Sequence, residues 1–594
     1  MKKEKLRSEV EEKYKWDLSQ MYANEKEFEK EIEELKKEIP NIKKMEGHIL
    51  DSSSNLLKTL DIFYELELKV EKIYVYAYCN FSVDIDDKEG QKLFSDAKNV
   101  YNDFSSSTAF LYPEILESNI ETIDKMIEEN INLKKYKIIL KRLFRSQKHI
   151  LPKDKEKLFS DLNDSISNFQ TCSTYLMDQV MEFENIHDEE ENEVELTSTN
   201  YYTYITSVNR EVRKEAYEKY HKVYKNFNSA LASNYIGHIK YTELEAKQRN
   251  YKNVLEQDLD DMNLPKSVFD SLVEATRSHL DVYQKEYKLI KDVLKVDKLE
   301  NYDISAPLLD EETEYSFEEA KKMIIEASKI YSEEYSEIVK DLFDNRKIDV
   351  YSNKNKKGGW YQNGSYLTHP VVFANYYSKY YDVSSLAHEI GHAVNEVYAV
   401  KNNPYHLYAT PLFLAEVASL TNEFLLAKYL INKIDDKKQK LEILNTIIGV
   451  FSSNFFNGVK GAEFELQAHK LVEENKPITA DNLNQIWKNL TQEYTGGIVE
   501  PNMYVWSKIT HFFIDFYYYK YATGAAIAMY LSDKILNGEN KEKYIDFLKL
   551  GNSLDVVDAL KVAGVDITDK KVYEEAIMGY DKLLDEYMKI YNSL

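Results

Sequence analysis

Ser384-Ser385-Leu386-Ala387-His388-Glu389-Ile390-Gly391-His392-Ala393-Val394 places two histidines four residues apart, with a glutamate directly after the first. On an α-helix this spacing leaves the two imidazoles about 40° apart in direction and one turn apart in height, so both can reach one ion. Zinc accepts imidazole nitrogen, and a catalytic centre keeps three protein ligands and one open position. Glu389 stands beside that position, where a carboxylate can take a proton from water. The neighbours Leu386, Ala387, Ile390, Gly391, Ala393 and Val394 are small or apolar, as a buried helix requires. Ser384 or Ser385 is the expected N-cap.

A third ligand must come from further along the chain. Asn395 and Tyr398 occupy the positions where the extended HExxH motif of metzincins has glycine and histidine, which excludes that arrangement. Asn402-Asn403-Pro404 ends the helix, and Leu412-Phe413-Leu414-Ala415-Glu416-Val417-Ala418-Ser419 starts another. An antiparallel return brings Glu416 back to the histidines. Its apolar surroundings make an uncompensated carboxylate costly there, and a cation removes that cost. Glu423, two turns later on the same face, or Asp382 is placed to accept a hydrogen bond from a ligand imidazole.

Outward from this centre the chain reads as helix. Lys26–Glu38 and Asn55–Asp84 carry apolar residues at three- and four-residue spacing. Residues 188–193, mostly acidic, interrupt the pattern as a solvated turn between two short strands, and the division into lobes is expected at 195/196, giving 1–195 and 196–594. Lys354–Gly359 reads as a flexible basic loop, and Pro370–Tyr377 as the clearest strand. The expected class is mainly all-α, with a small β element near the metal.

Composition narrows the function. Only 17 glycines and 10 prolines leave few turns, hence long elements. A formal charge of −25 argues against a nucleic-acid backbone as partner. The N-terminus has no apolar leader and no window spans a membrane, so a cytoplasmic enzyme without a membrane partner is expected. Cys79 and Cys172 are the only cysteines, too few for a disulfide framework.

The residues resemble the oligoendopeptidase F branch of the thimet oligopeptidase family. The resemblance rests on His388-Glu389-Ile390-Gly391-His392, on Ala415-Glu416-Val417-Ala418-Ser419 with Asn422-Glu423, and on His511-Phe512-Phe513-Ile514-Asp515-Phe516-Tyr517-Tyr518-Tyr519-Lys520-Tyr521-Ala522-Thr523-Gly524. Weaker echoes, among them Arg210 with Arg213, extend it over nearly the whole chain. It implies a two-lobed helical molecule with a deep channel, one zinc ion, and cleavage of internal bonds in short unstructured peptides. His388, His392 and Glu416 are then the ligands and Glu389 the general base. His511, with Tyr517 and Tyr521, stabilises the oxyanion; Tyr518 and Tyr519 are the adjacent alternatives for that register, and Tyr518 is otherwise a substrate contact. The family often has a histidine where this chain has Asn395. A peptide paired with the 370–377 strand, acting as an edge, would face Asn375 and Tyr376. The alternatives are a helical zinc carboxypeptidase, which releases single C-terminal residues, and a non-catalytic peptide-binding protein of the same fold.

Overall fold

The computed structural model describes residues 5–309 and 313–594. Its helices follow the sequence periodicity closely: Glu25–Glu38 and Ser53–Val83 cover the two stretches named above. Strands are short, so the chain is mainly all-α as expected. Among the described residues no helix is long and apolar enough to cross a membrane, and both cysteines are free.

The chain forms two compact units, each assembled from three segments. The first contains Met1–Lys148, Glu314–Leu430 and Lys534–Gly564; the second contains His149–Thr313, Ile431–Asp533 and Val565–Leu594. The expected 195/196 division falls inside the second unit's first segment.

In the second unit, strands β1 (Ile186–His187) and β2 (Glu193–Val194) pair antiparallel. The acidic run between them is a turn, because the Asp188 carboxylate accepts hydrogen bonds from the Glu190 and Asn192 N–H groups, both at 2.9 Å. On the long helix Arg210–Gln248, Arg210 and Arg213 converge on the fully buried Asp303 at 2.7 and 3.0 Å. These arginines therefore anchor the fold.

In the first unit, the N-terminal helices share one core with a three-stranded sheet through Val371 and Phe373. The strands are β3 (Ile348–Asp349), β4 (Tyr361–Asn363) and β5 (Val371–Phe373), in the order β3-β5-β4. β5 pairs parallel with β3 and antiparallel with β4. The expected strand is thus shorter than 370–377 and central rather than an edge, which fits its wholly buried Val-Val-Phe sequence. The basic loop is also less free than expected. Lys356 is completely buried, 2.7 Å from the equally buried Asp349, and its ammonium also donates to the Tyr351 carbonyl at 2.9 Å. A charge that interior needs such partners, and no feature of the local sequence announced it.

Candidate metal centre and its aromatic counterpart

The HExxH helix runs Tyr380–Asn402, starting four residues before the expected serine cap. Asp382 sets that start, its carboxylate accepting the Tyr377 and Lys379 N–H groups at 2.8 and 2.9 Å. The Glu416 helix, Leu412–Lys433, packs against it at close range. Gly391 makes the approach possible: a Cβ there would lie 2.7 Å from Ser419 Cα and 3.1 Å from the Ala418 carbonyl. Asn422 then ties the two helices, its amide donating to the Ala387 carbonyl at 2.6 Å.

This packing brings His388, His392 and Glu416 together, with one donor atom from each within 4.8 Å of the others. His388 Nε2 lies 3.6 Å from Glu416 Oε2, and His392 Nε2 lies 3.8 Å from Glu416 Oε1. Those gaps are too long for hydrogen bonds. Donors placed tetrahedrally about a zinc-sized ion, each about 2.1 Å from it, stand roughly 3.4 Å apart, so the set fits one metal ion after small adjustments. It is also a mixed imidazole and carboxylate set of the kind such ions take.

Glu423 takes the orienting role, and Asp382 does not. Its carboxylate meets His388 Nδ1 at 3.3 Å and accepts the Ser384 hydroxyl at 2.7 Å. A proton on Nδ1 leaves Nε2 as the ligand atom. Asn395 is structural: its buried amide donates to the Leu548 carbonyl at 3.1 Å.

Electrostatics favour a cation. Three carboxylates, Glu389, Glu416 and Glu423, surround two imidazoles. Burial pushes Glu389 up to about 7 and raises Glu416 as well. Burial pushes His392 down to about 3. For His388 burial acts in the same direction but is outweighed by Glu423, Glu389 and Glu416, which lift it to about 9. Gln362 of β4 stands beside the Glu389 carboxylate, and its side chain donates to Glu396 at 2.7 Å. Gln362 was not legible in the sequence, since a polar residue in a three-residue strand carries no signal.

Asn375 and Tyr376 are engaged inside the first unit. The Asn375 amide donates to the Lys357 and Gly359 carbonyls at 3.1 and 2.8 Å, and the buried Tyr376 hydroxyl donates to the Tyr315 carbonyl at 2.8 Å. Their side chains hold a loop and a core.

In the second unit, His511, Tyr517, Tyr518 and Tyr521 form one cluster. The His511 ring lies parallel to Tyr517 with centroids 5.9 Å apart, and Tyr518 and Tyr521 stand 5.9 and 6.3 Å from it. Tyr517 immediately precedes the helix Tyr518–Leu536 and meets Tyr521 at 4.9 Å. Tyr519 points away, fully buried, with its hydroxyl donating to Asp258 at 2.7 Å. Between His511 and Tyr517 the chain turns through Phe516 in a left-handed conformation, φ 52°. The turn is fixed from beneath. The Phe516 N–H donates to Glu465 at 2.8 Å, and Asp515 Oδ1 lies 3.0 Å from His238 Nε2 and 3.4 Å from His469 Nε2. His469 Nδ1 in turn meets Glu243 at 2.9 Å.

Comparison with known proteins agrees with this geometry. Peptidase family M3 matches residues 203–579, and the family described as Oligopeptidase F matches residues 114–183. Oligopeptidase PepF of Bacillus subtilis is 33% identical over 587 residues, covering 98% of this chain and 88% of the relative. The crystal structure of oligoendopeptidase-F from Enterococcus faecium superimposes with a TM-score of 0.73 at 28% identity, covering 96% of this chain and all of that one. A solved chain from Chlamydophila abortus reaches 0.92 at 28% identity, covering 99% of this chain and all of that one. This chain therefore belongs to peptidase family M3, a family of metallopeptidases.

Proposed function

We propose that the protein is a zinc endopeptidase that hydrolyses internal bonds of short, unstructured oligopeptides. The observation that carries this reading is the convergence of His388, His392 and Glu416 at spacings suited to one ion, with Glu389 on the same helix. His388, His392 and Glu416 are the residues that would hold zinc, and when bound it supplies Lewis acidity toward a peptide carbonyl and toward water. Glu389 accepts a proton from the attacking water and passes it to the leaving amine. Glu423 keeps His388 in its ligating tautomer.

The outer edge of β4 offers backbone groups for pairing with an extended peptide, in place of the central β5. To His511, Tyr517 and Tyr521 we assign stabilisation of the negative charge that develops on the carbonyl oxygen, and to Tyr518 a substrate contact. Their grouping around one exposed imidazole supports that assignment.

The test is cleavage of an internally quenched peptide of about ten residues, a length that a cleft can clasp. Wild-type, chelated, zinc-restored and Glu389→Gln proteins are compared, with mass spectrometry of the products. Internal fragments that vanish on chelation, return with zinc and are absent for the variant are expected. Release of single C-terminal residues only, or no turnover by metal-loaded protein, overturns the reading.

A further inference from the structure

The first unit contains a second concave feature, a cavity of about 590 Å³ that none of His388, Glu389, His392 and Glu416 lines. That volume is in the range of organic-ligand sites. Glu67 and Glu71, one turn apart on the helix Ser53–Val83, both enter it. Around them stand Tyr64, Tyr74, Tyr405 and Tyr408, with further aromatic rings completing the wall. No lysine or arginine lines the cavity.

The two carboxylates are poorly compensated. Like charges four residues apart on a helix repel each other, and low-dielectric walls strengthen the repulsion. The groups nearest them are neutral: the Tyr408 hydroxyl donates to Glu71, the Tyr366 N–H approaches Glu71 at 3.5 Å, and the Tyr405 phenol stands beside Glu67. Other acids of the same helix are treated differently, since Asp61 pairs with Lys135 at 2.6 Å and Glu65 with Lys69 at 3.4 Å. The one basic side chain in the wall, His406, is turned to the Lys135 carbonyl at 2.8 Å, and burial lowers its affinity for a proton. Burial, and then the neighbouring Glu71, push Glu67 up to about 7, which is how a carboxylate responds when no counter-charge is present.

The aromatic walls indicate what the missing charge is. Tyr405 and Tyr408 stack at 5.7 Å, and Tyr64 meets Tyr405 edge-on at 6.3 Å, so a packed group of phenol rings walls the space beside the two carboxylates. Such rings attract organic cations. Ca²⁺ takes six to eight oxygen ligands, more than two carboxylates in a largely aromatic wall offer, whereas an organic cation uses both the carboxylates and the rings.

We propose that this cavity binds an ammonium or guanidinium group, its charge neutralised by Glu67 and Glu71 and its body held against the tyrosine faces. The cation is either a basic side chain of a bound peptide or a free amine. Both present the same chemistry.

Calorimetric titration of the full-length protein tests this with three probes: Nα-acetyl-lysine methylamide, its neutral isostere Nα-acetyl-norleucine methylamide, and spermidine. The expected result is binding of the lysine derivative at least about tenfold tighter than the norleucine one. The variant Glu67→Gln/Glu71→Gln, which removes repulsion and so should keep or raise the melting temperature, loses that preference. Equal affinity for the two derivatives in wild type, no binding of any amine, or an unchanged preference in the variant overturns the proposal. The wild-type comparison needs no variant to fold. None of these titrations needs turnover, so failure of the peptidase reading would leave them interpretable. Peptide cleavage in the presence of spermidine then separates the sources. A raised KM for a lysine peptide but not for its norleucine counterpart marks a substrate side chain, whereas spermidine binding without that effect marks a free amine.

Discussion

Two clusters in this molecule combine histidine with carboxylate, and their distances give them different work. Around His388 and His392 the nitrogen–oxygen gaps to Glu416 are 3.6 and 3.8 Å, so the donors face one point without touching. Around His238 and His469 the gaps to Asp515 and Glu243 close to 3.0 and 2.9 Å, so each imidazole has a carboxylate at hydrogen-bond distance. The first cluster holds its polar atoms apart in readiness for a cation, which helps stability little until one arrives. The second spends the same atoms on the fold and places the turn between His511 and Tyr517. Residue type does not separate a ligand set from a structural network; the spacing that the backbone enforces does.

Parallel alanine substitutions put most strain on this distinction. His392→Ala is expected to remove metal and lower turnover by about a thousandfold or more, with little change in melting temperature. His469→Ala is expected to leave metal content unchanged and to cost about 3–5 kcal/mol of stability, because the buried Glu243 loses its imidazole partner and Asp515 keeps only His238. Metal analysis and urea unfolding of both proteins check the pair. Equal destabilisation by the two substitutions would show that the comparison is wrong.

A smaller effect separates holding from orienting. Glu423→Gln keeps the three donors but weakens the acceptor on His388 Nδ1. Metal affinity is expected to fall about ten- to a hundredfold while stoichiometry at saturation stays the same. Competition with a chromophoric chelator measures it. An unchanged affinity would make Glu423 a helix tie through Ser384 only.

The contrast also explains what the sequence could disclose. Both candidate histidine ligands lie on one helix, so their spacing is visible in five letters, and Glu416 is exposed as odd by its apolar neighbours. Helices declared themselves by periodicity throughout. The second cluster was hidden because His238, Glu243, His469 and Asp515 come from three distant stretches, each locally ordinary. The central position of β5 and the burial of Lys356 were hidden for the same reason: strand partners and counter-charges are chosen by tertiary contacts. β5 is flanked on both sides, and Asn375 and Tyr376 lie past its end with their side chains bonded to the Gly359 and Tyr315 carbonyls, partners that no local pattern announces. The assembly of each unit from three separated segments likewise has no local signature.

The smallest predicted effect is a pH dependence of the second cluster. Burial alone would lower the His469 pKa, but the Asp515 carboxylate 3.4 Å away and the hydrogen-bonded Glu243 outweigh it and raise it to about 10. Asp515 is held below its ordinary value, its burial outweighed by His238 and His469. A histidine whose folded pKa exceeds its unfolded value of about 6.5 contributes stability that is complete below that pH and disappears as pH rises toward 10. A depressed aspartate contributes stability above about pH 4, lost as pH falls through its folded value. The network is therefore fully effective between about pH 4 and 6.5 and weakens on the alkaline side. Between pH 6.5 and 8.5 the second unit should lose about 1–2 kcal/mol, below the ideal limit for one group because the pair is coupled. Trp487 and Trp506, both buried in this unit, report its unfolding by fluorescence. His469→Gln, lower in stability at every pH, should abolish the alkaline slope, because glutamine has no proton to release. A slope of the same size in that variant would move the titration to another group and leave Asp515 anchored by His238 alone.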